Sequence, residues 1–373
     1  MRSRLLQVCA FSTFSSLSIP AAHAVDIDLY GVVNKSLMVY DDGQNTETTI
    51  VDNNNESTRI GLAGEQKLDN GLTASALLEM QNRSNASSQL TQNTTPGQSS
   101  TPTNFTEGLT ERIARVGLAG DYGALFIGQQ DVATDDAPLR DLNAASSVIN
   151  PNVASFGGNL VFRNSTGSAV NLDGTDVTPN IFALGLNGDI VAADSIRFNS
   201  ASYNGLNGSA SVSQGGDTDL TLRYANTYYN FEFDTALGHT FNNDADSSAT
   251  NQLNGITMGS ASVKHSSGLG ATLSYITTHL GNRTAGVEDA QGYYAKVGYG
   301  WDAYGVAAEY GKYKNPIAAA ADQEMDVYGV GAEYNLGQGV TTNALYRNLS
   351  ADISGQSSIE DIDIVTVGMR VKF

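Results

Sequence analysis

Two stretches of the chain nearly repeat, and each carries an arginine at the same place: Thr58-Arg59-Ile60-Gly61-Leu62-Ala63-Gly64 and Ala114-Arg115-Val116-Gly117-Leu118-Ala119-Gly120. A guanidinium that alternates with apolar side chains along an extended segment points away from their face. The chemistry such a group does is binding: a fixed charge that attracts ions and orients dipoles. Arg197, in Ser195-Ile196-Arg197-Phe198, shows the same alternation. Opposite charge is available from Asp131, Asp135, Asp136 and Asp141, at the start of the longest interval without alternation.

Bond-making chemistry has weaker support. Beyond residue 24 the histidines are His239, His265 and His279, each near the end of an alternating segment and without a nucleophile context. No catalytic residue is assigned and no enzyme activity is expected. Asp41-Asp42-Gly43 and Asp173-Gly174-Thr175-Asp176 offer oxygen ligands but miss EF-hand spacing, so only loosely bound Ca²⁺ fits them. Gly329 and Gly331 lie inside an alternating segment with no helix after it, so they are not a dinucleotide loop. No cofactor is expected.

The elements that must position these charges are strands. The segment 26–41 puts Ile27, Leu29, Val33, Leu37 and Val39 on one face and Asp28, Tyr30, Asn34 and Ser36 on the other. Similar segments follow at 57–68, 72–83, 109–120, 123–130, 194–203, 206–213, 219–227, 230–240, 254–265, 269–280, 290–301, 303–314, 324–335 and 339–349. The last is Val365-Thr366-Val367-Gly368-Met369-Arg370-Val371-Lys372-Phe373, in which Thr366, Gly368, Arg370 and Lys372 share the polar face. The separators alternate between short turns, such as Asp69-Asn70-Gly71 and Asn204-Gly205, and long polar stretches at 42–56, 84–108 and 350–360. The interval 131–193 is longest, and 159–164 within it is strand-like. The expectation is an all-β fold, a transmembrane antiparallel β-barrel of roughly sixteen strands with short turns on one side and long loops on the other. An amphipathic strand set of a soluble sandwich is the competing reading, but a sandwich has no reason to segregate its loops by length.

Composition agrees. The chain has 373 residues, 40% hydrophobic and only 16% charged. Residues 1–24 read as a signal peptide: Arg2 and Arg4, an apolar stretch to Ile19, then Ala22-His23-Ala24. The barrel domain is then 25–373. Cys9, the single cysteine, lies in the leader, which excludes disulfides and cysteine metal sites from the rest. Removing Arg2 and Arg4 takes the net charge from −19 to −21, which argues against a nucleic-acid partner. Beyond the leader no run approaches the roughly 18 apolar residues of a membrane helix, whereas a barrel strand crosses in roughly 9–11.

The opening Asp28-Leu29-Tyr30-Gly31, the paired arginine segments, Ser195-Ile196-Arg197-Phe198 before Gly205-Leu206, and the terminal Phe373 together give a chain that resembles the general porins of Gram-negative outer membranes. The resemblance covers essentially all of 25–373. It implies passive diffusion of small hydrophilic solutes and ions through a homotrimer of water-filled barrels in the outer membrane. It further implies that the third external loop, here 131–193, folds into the lumen as a constriction. Arg59 and Arg115 match basic wall residues there, Arg197 is a third, and Asp131, Asp135, Asp136 and Asp141 would face them from the loop. Phe373 matches the terminal aromatic read by the barrel-assembly machinery, and the outer wall would meet lipid and lipopolysaccharide. Two departures stand out. The family often has a basic residue two positions after Tyr30, where this chain has Val32, and Lys35 has the opposite parity. The loop keeps only a partial echo of the family signature, Ser155-Phe156-Gly157-Gly158. Alternatives in the same fold are a substrate-selective channel for a sugar, anion or organic acid, and a structural or adhesive barrel.

Overall fold

The computed structural model describes residues 26–92, 108–172, 179–185, 192–243, 249–318 and 322–373. The expected leader, most of 84–108 and the Asp173-Gly174-Thr175-Asp176 turn lie outside them.

The described chain forms strands β1 Asp26–Asp41, β2 Thr46–Asp52, β3 Arg59–Lys67, β4 Thr73–Arg83, β5 Gly108–Gly120, β6 Gly123–Asp131, β7 Ala192–Ser200, β8 Leu206–Ser213 and β9 Thr218–Tyr228. It continues with β10 Phe231–Phe241, β11 Gln252–His265, β12 Leu269–Gly281, β13 Gln291–Trp301, β14 Tyr304–Lys314, β15 Gln323–Gly337, β16 Val340–Ile353 and β17 Ile362–Lys372. The strands pair antiparallel with their chain neighbours, and β17 returns to β1 in a register running from Val32↔Lys372 to Asp41↔Asp363. The ring of strands is therefore closed among the described residues, which is what lipid demands of a sheet. Among the described residues no helix is long and apolar enough to cross a membrane.

Seventeen segments fill sixteen positions. One half of β1 pairs with β3, from Asp26↔Glu65 to Val32↔Arg59, and the other half with β2, from Lys35↔Asp52 to Asp41↔Thr46. Strands β2 and β3 thus share one place in the ring, with 53–58 turned aside between them. This corrects the sequence reading of 42–56 as an unbroken loop: its Thr and Asn are polar, but polarity does not stop a backbone from pairing. The stretch 84–92 is not wholly an exposed loop either, since Ser87 and Leu90 are fully buried.

Alternation sets the two faces of the wall. Ile27, Leu29, Leu62, Val116, Leu237, Leu273, Val297, Val330 and Val367 stand exposed on the outside. Near the short-turn end, Tyr299, Trp301, Tyr304 and Tyr334 stack in a row with ring centroids 5.4, 5.6 and 4.7 Å apart. Toward the other end Tyr275 meets Tyr293, and Tyr310 meets Tyr328, each pair at 5.0 Å. Amphipathic rings in two belts suit the two membrane interfaces. The two-residue turn Asn204-Gly205 has positive φ at both positions, 50° and 89°, the backbone a tight hairpin requires. Segregation of loop lengths is not complete, because the β8–β9 connection at the long-loop end is itself short.

The inner face departs from the apolar-out, polar-in rule in two sectors, the smaller formed by Ala236, Ile256, Met258 and Ile276 on β10–β12 against Ala137. In the larger, Met38, Tyr40, Met325, Val327, Leu349, Ile353, Ile362 and Ile364 point inward and are buried. They pack against Val148, Ile149, Val153, Phe156, Leu160 and Phe162 from the β6–β7 connection in one hydrophobic cluster. A second layer lines the wall there, so apolar side chains bury on both faces. The strand-like 159–164 makes isolated bridges only, Val161↔Asn180 and Arg163↔Ala169, and is not a barrel strand.

Candidate functional site

The beginning of the β6–β7 connection is stitched to the inner wall by small hydroxyl side chains. Ser211 Oγ accepts from Ala133 N at 2.8 Å, and Thr221 donates to Ala133 O at 2.7 Å. Ser260 accepts from Arg140 N at 2.9 Å, Ser262 accepts from Leu142 N at 2.9 Å, and Ser274 donates to Pro138 O at 2.7 Å. Inward serines and threonines on alternate positions of β8–β12 thus satisfy main-chain groups that water would otherwise have to serve. Farther along, Lys296 Nζ lies 2.6 Å from Asp141 Oδ2 and 2.9 Å from Ile149 O. Arg347, fully buried, lies 2.7 Å from Glu309 and donates to Val153 O at 2.7 Å.

Opposite these contacts a cavity of about 1020 Å³ remains open. Its charged lining comprises Arg59, Arg112, Arg370 and Lys372 together with Glu56, Glu111, Asp131, Asp135 and Asp136. On one side Glu79, 4% exposed, receives Arg112 Nη1 at 2.6 Å, Arg59 Nε at 3.2 Å and the Tyr30 hydroxyl at 2.7 Å. Glu56 gathers Arg370 and Lys372, each at 2.8 Å, and Arg59 at 3.2 Å. Burial alone would raise the Glu56 carboxyl, but Lys372, Arg370 and Arg59 hold it below the ordinary range. Arg112 also reaches Asp131 at 3.5 Å. Asp135 is 8% exposed, and its Oδ1 has no hydrogen-bond partner. Burial pushes the Asp135 carboxyl up to about 8, with Asp131 and Asp136 adding to the shift and Arg112 and Arg197 opposing it.

The residues singled out from sequence fall in different places. Arg59, Asp131, Asp135 and Asp136 line the cavity. Arg115 lies over the Phe126 ring, 4.4 Å from its centroid, and contacts Gln130 at 3.4 Å. Arg197 donates to the main-chain oxygens of Asp131 and Val132 at 2.9 and 3.1 Å, so it grips the root of the connection. Asp136 pairs with Arg140, and Asp141 with Lys296. Asp136 thus stands between Arg140 and Arg197 at the cavity, whereas the expected facing of Asp141 toward the wall arginines is corrected: Lys296 on β13 takes that carboxylate. Lys35 projects to the outer face and pairs with Asp52 at 2.5 Å, while Val32 is buried. Phe373 lies beside Gly31, with mutual main-chain bonds of 2.9 and 3.1 Å. Among the candidate Ca²⁺ ligands, Asp42 is held by Arg163 at 2.7 Å and by the turn amides of Gln44 and Asn45. Among the described residues no group of three or more His, Cys, Asp or Glu is arranged to hold a metal.

Arg112 escaped the sequence reading for a definite reason. With Val116 and Leu118 outside, strict alternation sends residue 112 to lipid. A β-bulge at this point opposes Ile113 to Glu79 and Glu111 to Met80, leaving Arg112 unpaired and turned to the inner face. A bulge inserts one residue and reverses parity beyond it. The signal available was Leu109, apolar at odd parity while Val116 and Leu118 are apolar at even parity.

A closed barrel with an apolar outer wall, aromatic belts and a charged interior is the form of an outer-membrane channel. Residues 10–354 match the family described as Gram-negative porin, and the chain belongs to that family. Comparison with curated proteins finds no match. Among solved structures, an anion-selective porin from Comamonas acidovorans is similar with 15% identity and TM-score 0.58, over 94% of this chain and 100% of that one. OmpT of Vibrio cholerae, outer-membrane expressed, matches with 13% identity and TM-score 0.58, over 95% and 100%. A triple mutant of the Rhodopseudomonas blastica porin matches with 18% identity and TM-score 0.54, over 93% and 100%. At these identities the likeness is one of fold. The protein is thus an outer-membrane channel of the porin family.

Proposed function

We propose that the channel conducts small hydrophilic solutes and ions by passive diffusion, without a cofactor or a catalytic step. The observation that carries this reading is the open cavity lined by Arg59, Arg112, Arg370 and Lys372, held by Glu56 and Glu79, with Asp131, Asp135 and Asp136 at the root of the β6–β7 connection. In this reading the connection narrows the lumen, and the contacts of Lys296, Arg347 and the serine–threonine ladder keep it in place. Fixed opposed charges across a low-dielectric gap set up a transverse field that orients dipolar solutes and filters ions. The cations and carboxylates of the lining are largely paired with one another, and burial holds the Asp135 carboxyl up at about 8, so weak selectivity at pH 7 is expected.

The working assembly in this reading is a homotrimer. A trimeric form of Vibrio cholerae OmpT has a similar fold, which supports that assembly. Lipid and lipopolysaccharide surround it, and the barrel-assembly machinery inserts it with Phe373 as part of the signal. Liposome swelling tests the diffusion reading: vesicles carrying the protein swell in sugars at rates that fall smoothly with solute size. Uptake of one sugar alone, saturating with concentration, would replace it with a selective channel.

A further inference from the structure

On the outer wall two imidazoles converge on one point. His239 on β10 and His279 on β12 flank Thr257 on the strand between them. His239 Nδ1 lies 2.8 Å from Thr257 Oγ1, and His279 Nε2 lies 2.8 Å from the same oxygen. The rings stand 5.6 Å apart, and Phe241 closes edge-on against His239 at 4.3 Å. His239 is opposite Thr257 in register, and His279 is opposite Gly255. A β-carbon at Gly255 would stand 3.2 Å from His239 Nε2, so the glycine leaves the ring its space.

All three side chains face outward. Leu237 and Leu273, of the same parity on β10 and β12, are exposed, whereas Ser260 and Ser274, of the opposite parity, bond to the connection inside. His239 and His279 each stand two residues from the long-loop end of their strand. That places the pair beyond Tyr275, at the level of the outer headgroups rather than the hydrocarbon. The pair stands on the outer wall, away from the lumen and its charged cavity.

We propose that His239, Thr257 and His279 form an outer-surface site for one divalent transition-metal ion of the zinc or copper class. Imidazole nitrogens are borderline donors that suit both ions, at roughly 2.0–2.1 Å for zinc. The two nitrogens already aim at a common centre, so small ring movements bring both within bonding distance of an ion seated beside the hydroxyl. Thr257 supplies an oxygen, and water completes the coordination on the open side. Two nitrogens make this an accessible site at the headgroup level, distinct from a buried structural cage.

The test is calorimetric titration of the folded, untagged barrel in detergent with Zn²⁺ alone, repeated with Cu²⁺. The wild type takes up one ion per chain. His239→Asn and His279→Asn each weaken uptake by roughly tenfold or more, since loss of even a group that only orients a ligand costs that much. His265→Asn leaves it unchanged, because His265 lies at the opposite strand end, 2.8 Å from Ser267. Both substituted sites face outward, and unchanged heat-modifiable gel mobility shows that the variants are folded. No uptake by the folded wild type, or uptake undiminished in the two variants, would overturn the site.

Discussion

Lys296 and Asp141 form a salt bridge of 2.6 Å with side chains 0% and 5% exposed, joining β13 to the β6–β7 connection. The same ammonium holds Ile149 O at 2.9 Å, so one lysine fixes two points of the connection. Removing one partner from a buried pair leaves the other charged and unpaired, at a cost of about 3–5 kcal/mol. Lys296→Met therefore loosens the connection without opening the ring. Single-channel traces of this variant are expected to show higher current noise and a larger open conductance than wild type. Traces indistinguishable from wild type would remove Lys296 as an anchor.

Arg59 and Arg112, both against Glu79, line the cavity together with Arg370, which pairs with Glu56. Arg115 is stacked on Phe126 instead. Replacing Arg112 by alanine is expected to move the reversal potential in a salt gradient toward cation preference. Arg59→Ala acts in the same direction, and Arg115→Ala acts less. An Arg115 effect larger than that of Arg112 would contradict the assignment.

Asp135 gives the channel a pH dependence with a definite sign. Its carboxyl, pushed up to about 8 by burial and by Asp131 and Asp136, is neutral at pH 7 and gains a negative charge as pH rises through that value. Cation preference should therefore rise between roughly pH 7 and 9. Asp135→Asn fixes the neutral form and abolishes the rise. A wild-type reversal potential flat across this window would show that Asp135 is already ionised.

The ring was largely legible in the sequence, because a two-residue period with one greasy face is dictated by lipid outside and water inside. Strands β1 and β8 have the boundaries the alternation predicts. What could not be read were the places where a second influence acts on the same residues. The bulge at Arg112 breaks parity through backbone geometry, and the only trace it leaves in the side-chain pattern is the switch from odd Leu109 to even Val116 and Leu118. Thr46–Asp52 is polar and still pairs, since ladder bonds come from the main chain. Ile362 and Ile364 extend β17 toward the loop end, and they are apolar inward because Phe156 and Leu160 are there to cover them. For the candidate site, the charge types were legible and the pairings were not. Asp136 reaches Arg140 as well as Arg197, and Asp141 is taken by Lys296, and only the path of the connection decides which cations are near.

Phe373 covers Gly31, where a β-carbon would stand 2.6 Å from the Phe373 ring, and the two residues exchange main-chain bonds that seal β1 to the end of the chain. Deleting Phe373 should slow barrel assembly more than it alters conductance in barrels that do form. Gly31→Val should produce a milder version by displacing the ring. Pulse-labelled appearance of the heat-modifiable form measures both, and normal assembly without Phe373 would contradict its role.

The most direct measurement is single-channel recording of the purified protein in a planar bilayer. An open, water-filled channel with a fixed connection predicts stepwise, ohmic insertion events grouped in threes, with weak ion selectivity at pH 7. Absence of conductance from correctly folded protein would contradict the account.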